Sequence, residues 1–162
     1  MKKITSFTIN HDYLKRGMYI FCIDGDVIIY DFRMKVPNNP EQDYLADDAL
    51  HTLEHLFVTY VRNMTYSDDI VYVGPMGCRT GFYFLTRDRI SGSDAICLVQ
   101  DTLHFIIDFT GEIPGSKRQE CGNYLAHNLD GAKKIAQEML PVMEAWTSEQ
   151  LHYPKEVQGI QD

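Results

Sequence analysis

The fold of this chain is first indicated by residues 18–33, which read MYIFCIDGDVIIYDFR. Two apolar runs, at 18–23 and 27–33, are rich in the β-branched and aromatic residues that favour strands. Gly25 and Asp26 lie between the runs and are typical turn residues. This stretch therefore predicts a β-hairpin.

Three later segments show the spacing of apolar residues that is typical of amphipathic helices. The first spans 47–64, the second begins near Ser93, and the third begins near Asn128 or Asp130. Their predicted core positions are Leu50, Leu53, Phe57, Val61 and Met64; Ile96, Val99, Leu103 and Ile107; and Ala132, Ile135, Ala136 and Met139. Pro141 is expected to end or kink the third helix because proline lacks a backbone N–H. The tail beyond that helix shows little pattern.

A second pair of strands is predicted at 70–73 and 81–86, on either side of a loop at 74–80 that contains Gly and Pro. Hairpins and single helices alternate without a regular βαβα order. The order predicts an α+β fold, in which helices pack on an antiparallel sheet. The length of 162 residues fits a single domain over 1–162.

Composition and charge exclude several classes of function. The net charge of −8 argues against a nucleic-acid partner, because a phosphate backbone would be repelled. No run approaches the roughly 20 apolar residues of a membrane span, and residues 1–4 lack the apolar stretch of a signal peptide. We therefore expect a cytoplasmic protein without a membrane partner. In that reducing compartment its four cysteines indicate metal binding or catalysis rather than disulfides.

The strongest chemical signal is the sequence HTLEH at residues 51–55. Histidines four positions apart lie about 40° apart around a helix, so His51 and His55 can reach one metal ion. Glu54 turns toward the same side, where a partly desolvated carboxylate suits a general base. The alternative is an exposed helix face with two unconnected histidines, because short motifs also occur by chance.

A catalytic site of this type needs a third ligand, for which a Cys, His, Asp or Glu elsewhere in the chain is a candidate. Cys121 lies in a polar, Gly-containing loop where a buried cysteine would be unusual, and it would give a His₂Cys site with one open position. Cys78 lies in the Gly-rich loop and precedes Arg79, whose positive charge favours a thiolate. Cys22 and Cys97 lie within apolar runs and are assigned to the core.

Two alternatives to this interpretation remain open. The pattern His-x-x-Glu-His also occurs in inverted zinc peptidases, which are usually much larger proteins. A structural metal site in a binding protein would need a fourth ligand, for which Cys78 is the candidate in the sequence. His104, His127 and His152 have no motif context and are predicted at the surface or in packing roles. Taken alone, His11 and Ser6 are unremarkable, and Arg33 is predicted to be an ordinary surface charge.

Several stretches together resemble one known family. The most specific are HTLEH at 51–55, GPMGCRTGFY at 74–83 and CGNY at 121–124. Weaker matches are Ser6-Phe7 with His11, YDFR at 30–33 followed by Pro37-Asn38, and LDGAK at 129–133. In this order they resemble S-ribosylhomocysteine lyase, the LuxS family, from residue 6 to about residue 140.

The resemblance implies a homodimeric α+β enzyme with an active site at the subunit interface. It implies one divalent metal ion per subunit, Fe²⁺ physiologically, for which Zn²⁺ or Co²⁺ can substitute. The implied reaction is an aldose–ketose isomerisation followed by β-elimination. Its substrate is S-ribosylhomocysteine, and its products are homocysteine and 4,5-dihydroxy-2,3-pentanedione, the precursor of the quorum-sensing signal autoinducer-2.

The resemblance also assigns roles to individual residues. The implied metal ligands are His51, His55 and Cys121, and the implied acid–base pair is Cys78 and Glu54. The residues implied to bind substrate are Ser6, His11 and Arg33. One departure is visible, since the family usually has Asp immediately before the N-terminal histidine and this chain has Asn10. Asn keeps the hydrogen-bonding capacity of Asp but not its charge.

Overall fold

A four-stranded antiparallel sheet forms the centre of the fold. The structure is a computed structural model and describes residues 4–159. The strands are β1 (Gly17–Asp24), β2 (Val27–Arg33), β3 (Ile70–Pro75) and β4 (Gly81–Arg87). They lie in the order β1-β2-β4-β3, and all neighbours are antiparallel. Both predicted strand pairs are therefore confirmed, with small differences at the strand ends.

Three helices lie beside the sheet: α1 (Asp47–Val61), α2 (Gly92–Asp108) and α3 (Leu129–Glu144). Two of them begin at side-chain caps that satisfy a free backbone N–H group. The Ser91 side chain accepts a hydrogen bond from the Asp94 N–H at 3.1 Å, and the Asn128 side chain accepts one from the Gly131 N–H at 2.8 Å. The α+β class is confirmed.

Five details of the sequence prediction are wrong or incomplete. Met64 is exposed because α1 ends at Val61, before the predicted end. The ring of Pro141 is exposed in the last turn of α3, which continues to Glu144 because only one backbone hydrogen bond is lost there. Ile107 and Cys22 are only half-buried. Cys97 is exposed because consecutive residues of a helix cannot all face one core.

The two faces of the sheet have different coverings. Successive side chains of a strand point to opposite faces, so Tyr30 and Phe32 join the main core under the helices. Asp31 and Arg33 point to the other face. That face is covered by the N-terminal segment and by the tail after α3, where Val157 is buried in a second apolar cluster. The tail therefore has a structural role that its sequence did not indicate.

Residues 1–3 and 160–162 lie outside the described part of the chain. Two predictions fall partly on these residues. One is the absence of a signal peptide at residues 1–4, and the other is the extent of the single domain, 1–162. Among the described residues, no helix has both the length and the apolar character needed to cross a bilayer.

Candidate metal centre and thiol cleft

His51 and His55 lie one turn apart on α1 and turn their rings toward a common point. Their ring centroids are 4.7 Å apart and the ring planes are nearly perpendicular, at 88°. The Nδ1 atom of His51 lies 2.8 Å from the Ala126 carbonyl oxygen, and that of His55 lies 2.8 Å from the Pro114 carbonyl oxygen. A carbonyl can only accept, so both Nδ1 atoms carry the proton. Both Nε2 atoms keep a lone pair that is free for a metal ion.

Cys121 joins these histidines from the loop between α2 and α3. Its Sγ atom lies 3.4 Å from His51 Nε2. Two ligands of one tetrahedral ion with bonds of about 2.0–2.3 Å are separated by roughly 3.5 Å, so the donor spacing fits a metal site. The Asn123 N–H donates to Cys121 Sγ at 3.4 Å. The three residues that the sequence nominates as metal ligands are thus brought together.

His127 is a fourth member of this group, although its sequence context predicts only a surface or packing role. One ligand atom from each of His51, His55, Cys121 and His127 lies within 4.8 Å of every other. Burial lowers the pKa of His127, and the neighbouring His51 and His55 lower it further, which favours a neutral imidazole. The one sequence signal for His127 is its place in the same loop as Cys121, just before α3 begins.

Glu54 lies on α1 between the two histidines in sequence and is half-buried. It does not belong to the four-residue group. Within residues 4–159 its carboxylate has no hydrogen-bond partner. An unpaired carboxylate beside a candidate metal site is available to exchange protons with a ligand.

Cys78 lies in a separate cleft on the other face of the sheet. This cleft has a volume of about 200 Å³, and its lining includes Ser6, His11, Arg33 and Cys78. The structure therefore groups Cys78 with the three residues implied to bind substrate. Among the described residues, the cluster of His and Cys ligand atoms does not include Cys78. The fourth residue of the metal-type cluster is His127, whereas the alternative of a structural metal site had Cys78 in that place.

The cation that faces Cys78 is Arg33. Its Nη1 atom lies 3.8 Å from Cys78 Sγ and donates to Thr80 Oγ1 at 2.5 Å, while Thr80 Oγ1 lies 2.9 Å from the same sulfur. Arg79, which is predicted in this role from its position next to Cys78, pairs instead with Asp47 at 3.6 Å. Arg79 has a φ of 57°, and this left-handed backbone belongs to the tight turn that carries Cys78.

Arg33 is held in place by a buried network rather than exposed as an ordinary surface charge. Its Nε and Nη2 atoms donate to the two oxygens of Asp31 at 3.0 and 2.7 Å. Arg33 is 3% exposed and Asp31 is 0% exposed. Burial has the largest single effect on the pKa of Arg33 and would lower it. The charge and hydrogen bonds of Asp31, with smaller effects of Cys78 and Tyr153, together raise the net pKa. The guanidinium therefore stays charged beside Cys78.

Tyr153 extends this network from the C-terminal tail. Its hydroxyl donates to Asp31 Oδ2 at 2.7 Å, and its ring stacks on Tyr19 with centroids 4.9 Å apart. Burial and the charge of Asp31 raise the pKa of Tyr153 far above the ordinary value. The phenol therefore remains a donor. No motif in the sequence indicated this residue.

The N-terminal wall of the cleft is ordered by short-range hydrogen bonds. His11 Nδ1 lies 3.0 Å from the Ile9 carbonyl oxygen, which fixes the orientation of the ring. Asn10, the residue that departs from the family pattern, accepts a hydrogen bond from the Asp12 N–H at 3.1 Å through its side-chain oxygen. An Asp at this position could accept the same bond, so the turn around His11 does not require the missing charge.

The fold and the metal-type cluster define a small α+β protein with a soft-ligand site of histidine and cysteine. A family model described as S-ribosylhomocysteinase (LuxS) matches residues 4–150, and the chain belongs to this family. It is accordingly an enzyme of the carbon–sulfur lyase class.

Curated relatives extend over almost the whole chain. A protein of Porphyromonas gingivalis is 47% identical over 160 residues, which cover 95% of this chain and 99% of the relative. A protein of Phocaeicola vulgatus is 46% identical, covering 95% and 98%. One of Clostridium acetobutylicum is 41% identical, covering 96% and 100%. All three are named S-ribosylhomocysteine lyase.

Proposed function

We propose that this protein cleaves S-ribosylhomocysteine to homocysteine and 4,5-dihydroxy-2,3-pentanedione, using one divalent metal ion per subunit. The observation that carries the proposal is the convergence of His51 Nε2, His55 Nε2 and Cys121 Sγ within a chain of this family. The ion is Fe²⁺ in the cell, and Zn²⁺ or Co²⁺ can replace it, because this donor set accepts several ions. When bound, the ion supplies a Lewis acid that stabilises negative charge developing on a substrate oxygen.

The reaction requires groups that move protons at carbon. The thioether of the substrate lies several carbons from the aldehyde of the open-chain ribose, so the carbonyl must migrate until the carbon–sulfur bond is β to it. Each migration removes a proton from a carbon next to the carbonyl and returns one to its neighbour. The oxidation and reduction are internal to the sugar, so no nicotinamide is needed.

Cys78 and Glu54 are proposed as the groups that move these protons. Cys78 has the charge of Arg33 at 3.8 Å, which suits a sulfur that acts as an anion. Glu54 has no competing hydrogen bond among the described residues, so its carboxylate can exchange protons at the sugar oxygens. It would also remove the proton that triggers elimination. The carbon–sulfur bond then breaks, the sulfur gains a proton, and homocysteine leaves.

Ser6, His11 and Arg33 are proposed to hold the substrate in the thiol cleft. All three line the same space as Cys78, whose volume of about 200 Å³ accommodates part of the substrate. Arg33 donates to Asp31 and Thr80, which hold its guanidinium in a fixed orientation at the cleft wall. A fixed donor aligns a sugar hydroxyl or the amino-acid end of the substrate with little loss of entropy.

The complete active site is proposed to form between two subunits of a homodimer. Cys78 is not part of the metal-type cluster, although the chemistry needs both groups on one substrate. An exposed apolar side chain lies close in sequence to each of the two sites. Phe7 follows Ser6 of the thiol cleft, and Leu125 lies four residues after Cys121 of the metal-type cluster. Phe7 is 66% exposed and Leu125 is 79% exposed. Exposed apolar residues at both places favour burial against a second copy.

Residues 1–162 are proposed to act as one domain in the cytoplasm, with no nucleic-acid or membrane partner. The net charge of −8 supports the absence of a nucleic-acid partner. The thiol chemistry at Cys78 and Cys121 suits a reducing compartment. The dione product would serve as the precursor of the autoinducer-2 signal.

Release of free homocysteine tests this function directly. The purified protein is incubated with S-ribosylhomocysteine, and free thiol is measured with and without a chelator, with a peptide as the control substrate. Thiol release that the chelator abolishes is expected. Peptide cleavage would instead favour the inverted zinc peptidase, and unfolding on metal removal without any turnover would favour a structural metal site.

Three variants separate the proposed roles. Cys78→Ala and Glu54→Gln should retain the metal ion and lose homocysteine release. Cys121→Ala should lower metal occupancy, because it removes one of three ligands. Loss of metal from Cys78→Ala would contradict its role in proton transfer, and full metal retention by Cys121→Ala would contradict the ligand set.

Mixed dimers test whether the two groups come from different subunits. Cys78→Ala and Cys121→Ala chains carrying different tags are co-expressed, and dimers with both tags are purified. If each site combines the metal group of one subunit with Cys78 of the other, one of the two sites is intact and about half of the wild-type activity is expected. Inactive mixed dimers would place both groups in one subunit.

A further inference from the structure

His127 has an acceptor atom that the proposed ligand set does not use. Its Nε2 atom is buried and lacks a hydrogen-bond partner among the described residues. Buried polar atoms nearly always have a partner, so such an atom at a candidate active site indicates a ligand group that is absent from the protein alone. His127 belongs to the group whose ligand atoms all lie within 4.8 Å of one another, and Nε2 is the ring nitrogen that does not contact Thr52.

The hydrogen bonds around Thr52 decide where His127 carries its proton. Thr52 Oγ1 donates to the Asp48 carbonyl oxygen at 2.9 Å and accepts from the Asn128 N–H at 2.8 Å. The same oxygen lies 3.1 Å from His127 Nδ1. The hydroxyl has one proton, and the carbonyl of Asp48 can only accept it, so His127 Nδ1 must be the donor in the third contact. Nε2 is then a free acceptor.

The orientation of the rings indicates that His127 is not a fourth metal ligand. The His127 and His51 rings are stacked, with centroids 4.3 Å apart and planes within 17° of parallel. Parallel rings at this distance lie one above the other, separated by roughly 3.5 Å. An imidazole binds a metal ion in its own plane, through a bond of about 2.0–2.1 Å. An ion held by the in-plane lone pair of His51 would therefore be out of reach of the lone pair of His127.

We propose that His127 Nε2 accepts a hydrogen bond from a hydroxyl group of the bound sugar chain and so positions the substrate at the metal site. The inference rests on the proposed function and adds a substrate-binding residue to it. A buried acceptor that stays unpaired lowers the affinity for the bound ligand. A polyol chain, which offers a hydroxyl donor to this acceptor, should therefore bind more tightly than a ligand without one. The chemical class recognised is an open-chain sugar with adjacent hydroxyl groups.

The test compares two unreactive ligands on two variants of the metal-loaded protein. S-ribitylhomocysteine has the hydroxyl groups but no carbonyl, and S-pentylhomocysteine has neither. His127→Leu removes the acceptor and keeps much of the bulk, whereas His127→Gln keeps a polar atom near the position of Nε2. His104→Leu is the matched control, since His104 is exposed and pairs with Glu144 at 3.6 Å. Dissociation constants are measured by calorimetry, and metal content is measured for each protein.

His127→Leu is expected to weaken S-ribitylhomocysteine binding about tenfold or more, to leave S-pentylhomocysteine binding unchanged and to retain the metal ion. His127→Gln should recover most of the loss, and His104→Leu should match the wild type. Equal weakening of both ligands would show a purely structural role, and metal loss would show a ligand; either result overturns the proposal. Homocysteine release by the wild type reports separately on the proposed function, so the two failures are distinguishable.

Discussion

Replacing Tyr153 by Phe removes one oxygen atom from the network that holds Arg33. The phenol of Tyr153 donates to Asp31 Oδ2 at 2.7 Å, and Arg33 Nη2 donates to the same oxygen at 2.7 Å. The ring of Phe can keep the stacking on Tyr19. The substitution therefore isolates one hydrogen bond to a fully buried carboxylate that retains its ion pair.

The expected cost follows from these contacts. A hydrogen bond to a charged group contributes about 1.5–3 kcal/mol to the free energy of unfolding. Loss of the Arg33 partner would cost more, but Asp31 keeps that partner in the Phe variant. For a domain of this length, 1 kcal/mol corresponds to about 2–4 °C, so the thermal midpoint should fall by roughly 3–12 °C.

Urea unfolding followed by Trp fluorescence measures this change. Trp146 is the one tryptophan of the chain, and its ring contacts Tyr19 edge-on with centroids 5.4 Å apart, so it reports on the same layer. The control is Tyr72→Phe, since Tyr72 is 52% exposed. The slope of the free energy of unfolding against urea concentration should be the same as in the wild type. A fall in the free energy of unfolding of less than about 0.5 kcal/mol, as in the control, is the contrary result. That result would refute the claim that the hydrogen bond from Tyr153 stabilises the buried Asp31 carboxylate.

The pH dependence provides a second check on the same bond. The pKa of Tyr153 is raised in the folded protein above its ordinary value of 10.0. Its stabilising contribution is therefore complete below pH 10 and is lost as the pH rises further, because the unfolded chain releases the phenolic proton first. The stability difference between the wild type and Tyr153→Phe should narrow above pH 10. A constant difference would contradict a raised pKa.

Three further perturbations act on the metal centre. Thr52→Val removes the hydroxyl that His127 and the Asn128 N–H both contact, and should lower the free energy of unfolding by about 1–3 kcal/mol in urea titrations. Gly115→Ala would place a Cβ 3.2 Å from His55 Nδ1 at a φ of +70°, and should weaken metal binding about tenfold in chelator competition. Metal removal should lower the thermal midpoint, since an ion at one hundred times its dissociation constant stabilises the native state by about 2.7 kcal/mol; an unchanged midpoint would contradict binding to the folded chain.

The sheet could be predicted from the sequence because its strands combine local turn chemistry with apolar runs. Gly25 and Asp26 mark the first turn, and β2 begins and ends where the apolar run does. Helix ends were less predictable. The apolar spacing continues to Met64, but the chain leaves the helix at Arg62, where the backbone N–H still bonds to the Val58 carbonyl. Periodicity alone does not mark that end.

The tail illustrates a different limit. Tyr153 and Val157 have no repeating pattern around them, yet both cover the outer face of the sheet. Their partners lie far away in the chain, as in the bond from Tyr153 to Asp31, 122 positions apart. A contact of this kind forms only on the completed sheet, so it cannot be predicted from the spacing of nearby residues. Arg33 looked like a surface charge for the same reason.

The metal centre shows how far ligand spacing can be taken. The pair His51 and His55 was visible because helix geometry fixes the relation between positions four apart. Their orientation depends on the backbone carbonyl groups of Pro114 and Ala126. Every residue has such a carbonyl, so the sequence does not show which ones bind the histidines. His127 has the residue type of a ligand, but the nearly parallel stacking of its ring on His51 argues against that role. Whether a site with four donor groups is closed or open to substrate thus depends on ring planes, which only the folded chain defines.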